Sequence, residues 1–340
     1  MGKILSNCSA SATADAAANL LVGGLVAFPT ETVYGLGADA CNADAIARVY
    51  SVKGRPANHP LIVHVASMNA LGEWASDMPE YAIALARDYW PGPMTLVVRR
   101  SELAADFVTG GQDTVGVRVP NHPIALGLLE AFARLGGKGV AAPSANRFGN
   151  VSPTTSKAVS DELGEYMSEC DLILDGGACD VGVESTIINC TGDYPKILRP
   201  GAITAQMITE STGLRVDEKF IYSKENLTEI RFNNQAVDES QIRVSGSLDS
   251  HYAPVATVVL DQSPIAGQGF IAIADIATPD GVVRLAAPKN DEDFARVLYA
   301  ALRAADEQGL ESVVVVQPVG DGIAVAIRDR LKRASFAEYI

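Results

Sequence analysis

The sequence predicts an α/β fold: a twisted mixed sheet with flanking helices, followed by a second, smaller α/β unit. Three observations carry this. Over the first two hundred residues, short apolar runs of strand length alternate with amphipathic stretches of helical length. Some of those runs follow one another closely enough that part of the sheet is antiparallel. Residues 213–250 are then polar and charged and end in Ser245-Gly246-Ser247, the composition of a connection, before apolar runs resume.

The elements follow in order. Thr13 is placed to cap a helix that runs to Gly23-Gly24, and Leu25–Phe28 reads as a short apolar strand. A helix fits Ala43–Val52, a strand Leu61–Val65, and two helices precede Trp90-Pro91-Gly92-Pro93. Strands fit Met94–Arg99 and Val115–Val119, a helix Ile124–Leu135, and a strand Gly139–Ala142. Short strands near 172–175, 185–190 and 195–198 close the first unit. In the second, Val255–Leu260, Phe270–Ala274 and Val313–Val316 read as buried strands. Phe294, Val297, Leu298, Ala301, Leu302 and Ala305 share one helical face, and Gly322–Lys332 reads as another helix.

A chain of 340 residues that is 48% apolar and 20% charged is ordinary globular protein of about two domains. Its formal charge is −14, split as −7 in residues 1–204 and −7 in 205–340, so neither half is a basic arm. That balance argues against non-specific binding to phosphate backbones, which needs clustered positive charge. No apolar run approaches the ~18 residues of a membrane span. The N-terminus lacks the apolar core of a secretory signal. Five cysteines without a C-x-x-C pair suit neither a disulfide framework nor a zinc site, so the cytoplasm is the expected compartment.

Several segments carry chemistry. Pro29-Thr30-Glu31-Thr32-Val33-Tyr34-Gly35-Leu36-Gly37 crowds hydroxyls and a carboxylate into a loop after a strand, where α/β sheets bind ligands. A capped turn fits the same residues. Gly35-x-Gly37-x-x-Ala40 is no dinucleotide fingerprint, because the glycines lie too far past the strand and no acidic residue stands ~20 positions on. Lys53-Gly54-Arg55-Pro56 sets two cations at a helix end. They suit either the helix dipole or a phosphate clamp. In Leu61–Val65, alternation puts Ile62 and His64 on one face and Leu61, Val63 and Val65 on the other. A strand histidine of this kind is more often packed than functional. Arg118 shares a strand face with Gly116. It suits a bound carboxylate or an internal ion pair equally. Ala141–Asn146, Ser152-Pro153-Thr154, Glu184-Ser185-Thr186, Arg199-Pro200-Gly201 and His251-Tyr252-Ala253-Pro254 add hydroxyls, an amide and another cation. No protease triad, P-loop or metal-ligand cluster is present. Cations and hydroxyls without a nucleophile suit positioning of an anionic nucleotide.

In their order along the chain, these segments together resemble the threonylcarbamoyl-AMP synthase family in its two-domain form. The resemblance implies a YrdC-like catalytic domain over 12–205, a linker or lid over 206–254, and a small Rossmann-like C-terminal α/β domain over 255–340. It implies a nucleotidyltransferase that joins L-threonine, bicarbonate and ATP into L-threonylcarbamoyladenylate and pyrophosphate. Partner proteins would then transfer the group to tRNA, next to the anticodon. Threonine would lie near Thr32, His64, Arg118, Ala142 and Ser185. ATP would lie against Lys53, Arg55, His59, Thr114, Ser144, Asn146, Ser152 and Arg199, with Tyr252 closing over it; Lys53 and Arg55 would be catalytic. The family pattern has Asn where this chain has His59. Mg²⁺ is expected to enter with ATP, and no residues mark a protein-held metal. The alternative is an RNA-binding or ribosome-associated protein built on the same domain, with at most weak RNA contact at a net charge of −14. No membrane partner is expected.

Overall fold

The structure is a computed structural model and describes residues 3–5, 10–218, 242–244, 246 and 251–336. Its first unit opens with β1 (Lys3–Leu5), α1 (Ala10–Leu21), β2 (Val26–Phe28), β3 (Gly35–Asp39), α2 (Ala43–Lys53) and β4 (Ile62–His64). It continues through α3 (Leu71–Trp74), β5 (Ala75–Asp77), α4 (Glu80–Tyr89), β6 (Met94–Arg100), α5 (Asp106–Thr109) and β7 (Thr114–Arg118). Then come α6 (Pro123–Arg134), β8 (Val140–Ala141), α7 (Ser156–Leu163), β9 (Leu172–Leu174), β10 (Thr186–Asn189) and β11 (Lys196–Arg199). It ends with α8 (Ala205–Thr212) and β12 (Asp217–Glu218). The second unit is β13 (Thr257–Leu260), β14 (Gly269–Ile271), β15 (Val283–Ala286), α9 (Asp291–Glu307), β16 (Ser312–Val315) and α10 (Ile323–Ser335).

Strands of the first unit form one mixed sheet in the order β1-β9-β2-β3-β8-β4-β7-β6-β10-β11-β12, with β5 paired to β6. Hairpin-like neighbours such as β2 and β3 are antiparallel, whereas β4 and β7 are parallel. The second sheet, β13-β16-β14-β15, is parallel throughout. This is the mixed sheet plus smaller α/β unit that the sequence predicts. β12 pairs with β11, so the first sheet continues past residue 205. Residues 219–241, which fall in the expected linker, lie outside the described residues.

Alternation sorts the central strands as expected. Leu61, Val63 and Val65, with Val115, Val117 and Val119, enter the main core. Each such burial contributes roughly 1.5–3 kcal/mol. The opposite face is left to Ile62, His64, Gly116 and Arg118.

Two expectations are corrected. Thr13 is not the N-cap of α1: the helix starts at Ala10, and Thr13 is a buried residue within it. Alanines at 10 and 12 favour the extra turn. The loop after β2 ends at Tyr34, not Gly37. Gly35–Asp39 is a strand, and its glycines serve close packing: a Cβ on Gly37 would stand 2.7 Å from Val140 Cγ1 and 2.8 Å from Phe28 Cε1.

Candidate active site

The chain folds its functional segments around one open cavity. It opens where the loop after β2, the ends of β4 and β7, the turn after β8 and the β10–β11 pair converge. The end of the connecting segment, Gly246 with His251 and Tyr252, lines it as well.

Local chemistry places each part. Asn42 caps α2 by accepting from Ala45 N at 3.1 Å, and Gly54 stops the helix in the left-handed region at φ 62°. That reversal separates two cations. Arg55 turns to the cavity, donates to the Pro60 carbonyl at 3.0 Å and lies 5.7 Å over the Phe148 ring. Burial lowers its pKa to about 10. Lys53 points behind the wall instead. Its Nζ donates to the Ser144 carbonyl at 2.5 Å and to the Asn146 carbonyl. Burial, then the nearby Arg55, pulls its pKa well below the usual lysine range. Lys53 therefore clamps the turn that carries Ser144.

The loop after β2 is tied by its own hydroxyls. Thr30 Oγ1 donates to the Val33 carbonyl at 2.7 Å and meets Thr32 Oγ1 at 2.8 Å. Its one proton is committed to the carbonyl, so Thr32 is the donor of that pair. Thr32 in turn accepts from Arg118 Nη2 at 2.9 Å. The same guanidinium pairs with Glu31 at 2.8 Å, both groups being almost wholly buried. Glu31 also accepts from the Asn121 amide at 3.0 Å. Arg118 Nε has no hydrogen-bond partner among the described residues. His64, beside it, approaches the Ile62 carbonyl at 3.2 Å. Burial, then the Arg118 charge, lowers its pKa to about 3, so the ring is neutral at physiological pH.

The opposite wall is built on β10 and β11. Arg199 donates from Nε and Nη2 to the Ser185 carbonyl at 3.1 and 2.9 Å, and from Nη2 to Ser185 Oγ at 3.1 Å. Ser185 Oγ also meets Thr95 Oγ1 at 2.8 Å. Glu184 accepts from Ser152 Oγ at 2.6 Å. Burial would raise the Glu184 pKa, but Arg330 and Arg199 hold it down at about 2. Tyr252 stands at φ 63°, a strained position for a bulky residue, with its ring stacked on Tyr299 at 5.7 Å. A Cβ on Gly246 would stand 2.2 Å from the Tyr252 hydroxyl, so only glycine fits there.

All five residues expected around threonine, Thr32, His64, Arg118, Ala142 and Ser185, line this cavity. So do Arg55, Ser144, Arg199 and Tyr252 of the nucleotide set. Five do not. Lys53 and Asn146 brace the turn, the Asn146 side chain donating to the Arg147 and Asn150 carbonyls at 2.7 and 2.8 Å. Ser152 faces Glu184. His59 packs edge-on against Phe148, with ring centroids 5.3 Å apart. Thr114 lines a neighbouring groove of about 300 Å³, shared with Ile62, Arg243 and Val244. Glu31, Glu184 and His251 belong to the site without being marked by the sequence. Each sits beside an expected residue in its motif, but a carboxylate paired to an arginine far along the chain, Glu31 to Arg118 and Glu184 to Arg330, leaves no local pattern. Among the described residues, no cluster of His, Cys, Asp and Glu side chains could hold a metal ion. No helix there is long and apolar enough to cross a membrane.

Arg55, Arg118 and Arg199 thus face one cavity in an acidic protein. Comparison with known proteins agrees with that chemistry. Residues 18–201 match the Sua5/YciO/YrdC family model, described as telomere recombination. Residues 203–335 match the model described as threonylcarbamoyl-AMP synthase, C-terminal domain. The chain is 38% identical over 328 residues to the threonylcarbamoyl-AMP synthase of Pyrococcus abyssi, covering 92% of this chain and 91% of that one. To the enzyme of that name from Bacillus subtilis it is 35% identical, covering 95% and 92%. The crystal structure of P. abyssi Sua5 complexed with L-threonine superposes with a TM-score of 0.82 at 34% identity, covering 98% of this chain and 97% of that one. The chain belongs to the threonylcarbamoyl-AMP synthase family, in its two-domain form.

Proposed function

We propose that this chain makes L-threonylcarbamoyladenylate and pyrophosphate from L-threonine, bicarbonate and ATP. The amine of threonine and bicarbonate give a carbamate and water. A carbamate oxygen attacks the α-phosphorus of ATP, the bond to the β-phosphate oxygen breaks, and pyrophosphate leaves with its electron pair. The observation that carries this reading is Arg118, a buried strand arginine that lines the cavity and whose Nε finds no hydrogen-bond partner among the described residues. An α-carboxylate would complete it.

In this reading the carboxylate of threonine meets Arg118, and its hydroxyl meets the Thr32 and Ser185 side of the pocket. His64 is neutral, so it orients without repelling Arg118. Arg55 and Arg199 face the charge that grows on the departing pyrophosphate, where fixed donors are most effective. Lys53, His59, Thr114, Asn146 and Ser152 serve the nucleotide side, Lys53 by holding the Ser144 turn. Mg²⁺ would enter on the triphosphate, because Glu31 and Glu184 are already paired with arginines. Gly246, His251 and Tyr252 cover the product, a mixed anhydride that water would destroy. The catalytic unit is assigned to 12–205, the connection to 206–254 and the C-terminal domain to 255–340. Transfer to tRNA would fall to partner proteins, in the cytoplasm. Label from bicarbonate, ATP and each amino acid in turn tests the reading: an adenylate should form with threonine alone.

A further inference from the structure

The second unit braces the wall of the cavity through two buried side chains, Tyr299 of α9 and Arg330 of α10. Arg330 spends its guanidinium across the interface. Nε donates to Glu184 Oε2 at 2.8 Å, Nη2 to the Pro200 carbonyl at 3.0 Å, and Nη1 to Asp329 on its own helix at 2.7 Å. Its plane covers the Tyr252 ring at 5.4 Å. Tyr299 donates to the same Glu184 oxygen at 2.8 Å and stacks against Tyr252.

Buried charge is a costly way to join two domains, and apolar residues would do that work as well. What the charge adds is direction. Glu184 and Pro200 are the chain neighbours of Ser185 and Arg199, which line the cavity. Tyr252 lines it too, in a backbone conformation that must be held by its surroundings.

We propose that Arg330 is a positioning residue for the adenylate-forming reaction: from the C-terminal unit it fixes the Ser185–Arg199 wall and the Tyr252 ring together. The cavity is then complete only with α10 docked. This rests on reading the cavity as the ATP site. Arg330 touches no substrate and acts through its neighbours.

The test uses the full chain. Arg330→Met alone would strand the Glu184 charge, so the neutral pair Glu184→Gln/Arg330→Met is compared with Glu184→Gln, each with and without Tyr252→Ala. Arg330→Lys, which keeps the charge but loses the planar fork, is read alongside. ATP affinity is measured by calorimetry and threonine-dependent pyrophosphate release by kinetics, with a melting curve for each variant. The neutral pair, against Glu184→Gln, and Arg330→Lys, against the unaltered chain, should raise the Kd and KM for ATP about tenfold while kcat changes less than about threefold. In the Tyr252→Ala background that loss should shrink to less than about twofold, because both changes remove one device. A lowered melting temperature with unchanged Kd and KM would mean that Arg330 is only structural, and would overturn the proposal. An equal loss with and without Tyr252 would overturn it too. If the unaltered chain binds no ATP, the reading of the cavity fails first. If it binds ATP and the variants match Glu184→Gln, only this proposal fails.

Discussion

Arg118 donates to the Thr32 hydroxyl at 2.9 Å, across 86 residues of sequence. In the proposed reading, the group that holds a carboxylate and the group that reads a hydroxyl are therefore one hydrogen-bonded unit, braced by Glu31 at 2.8 Å. A site built this way should discriminate strongly. Valine lacks the hydroxyl and would leave Thr32 or Ser185 unmatched, so threonine should be preferred by up to roughly 10⁴-fold in kcat/KM. Competition assays with valine and serine check this. Equal use of valine would contradict the assignment.

The cations should split into two classes. Near a helix end, Lys53 and Arg55 would each contribute only about 0.3–1 kcal/mol to folding, so their alanine variants would be expected to stay folded. The structure separates Lys53 from Arg55. Its amine satisfies two buried carbonyls, and leaving each unpaired costs about 1–3 kcal/mol. Lys53→Ala should lower the melting temperature by several degrees and lose activity with it. Arg55→Met should melt within a few degrees of the parent yet release pyrophosphate on the order of 10²-fold more slowly.

Acid should destabilise the fold through buried histidines. His64 and His251 are held at about 3, against 6.5 when free, burial being the first cause in each. The unfolded chain binds these two protons first as pH falls. Their contribution is therefore complete above about 6.5 and is lost from there towards 3. Each group costs about 1.4 kcal/mol per pH unit in that window. Glu184 acts in the same direction lower down, between 4.5 and about 2. Urea melts at pH 7, 6, 5 and 4 should show the loss, and His251→Asn should reduce its slope by somewhat less than half, because burial lowers His59 and His122 as well.

Gly246 should be intolerant of any side chain. Its φ is 80°, and a Cβ would strike the Tyr252 hydroxyl. Gly246→Ala should raise the KM for ATP. Adding Tyr252→Phe should recover part of the loss, because the struck atom is gone, while the positive φ still costs about 1 kcal/mol. A Gly246→Ala enzyme with unaltered KM would show that this segment does not shape the site.

Much of this was legible in the sequence, for physical reasons. Leu61, Val63 and Val65 declare a buried strand face by alternation, and that places His64 and Arg118 on the other face. Motifs in loops named part of the lining, Thr32, Ser144 and Tyr252 among it, and also five residues that stand outside it. What the sequence hides is partnership at long range. Nothing near residue 53 says that its amine will find two carbonyls ninety positions on, and nothing near 184 points to Arg330. Gly35 and Gly37 mislead in the other direction, since glycine needed for close strand packing has the same letter as glycine needed for a turn.

The central claim is tested most directly by pyrophosphate release from ATP with bicarbonate present, measured with and without L-threonine. Release that requires threonine, with one adenylate containing bicarbonate carbon formed per pyrophosphate, is the predicted result. Release that is independent of threonine, or equal with every amino acid, would contradict it.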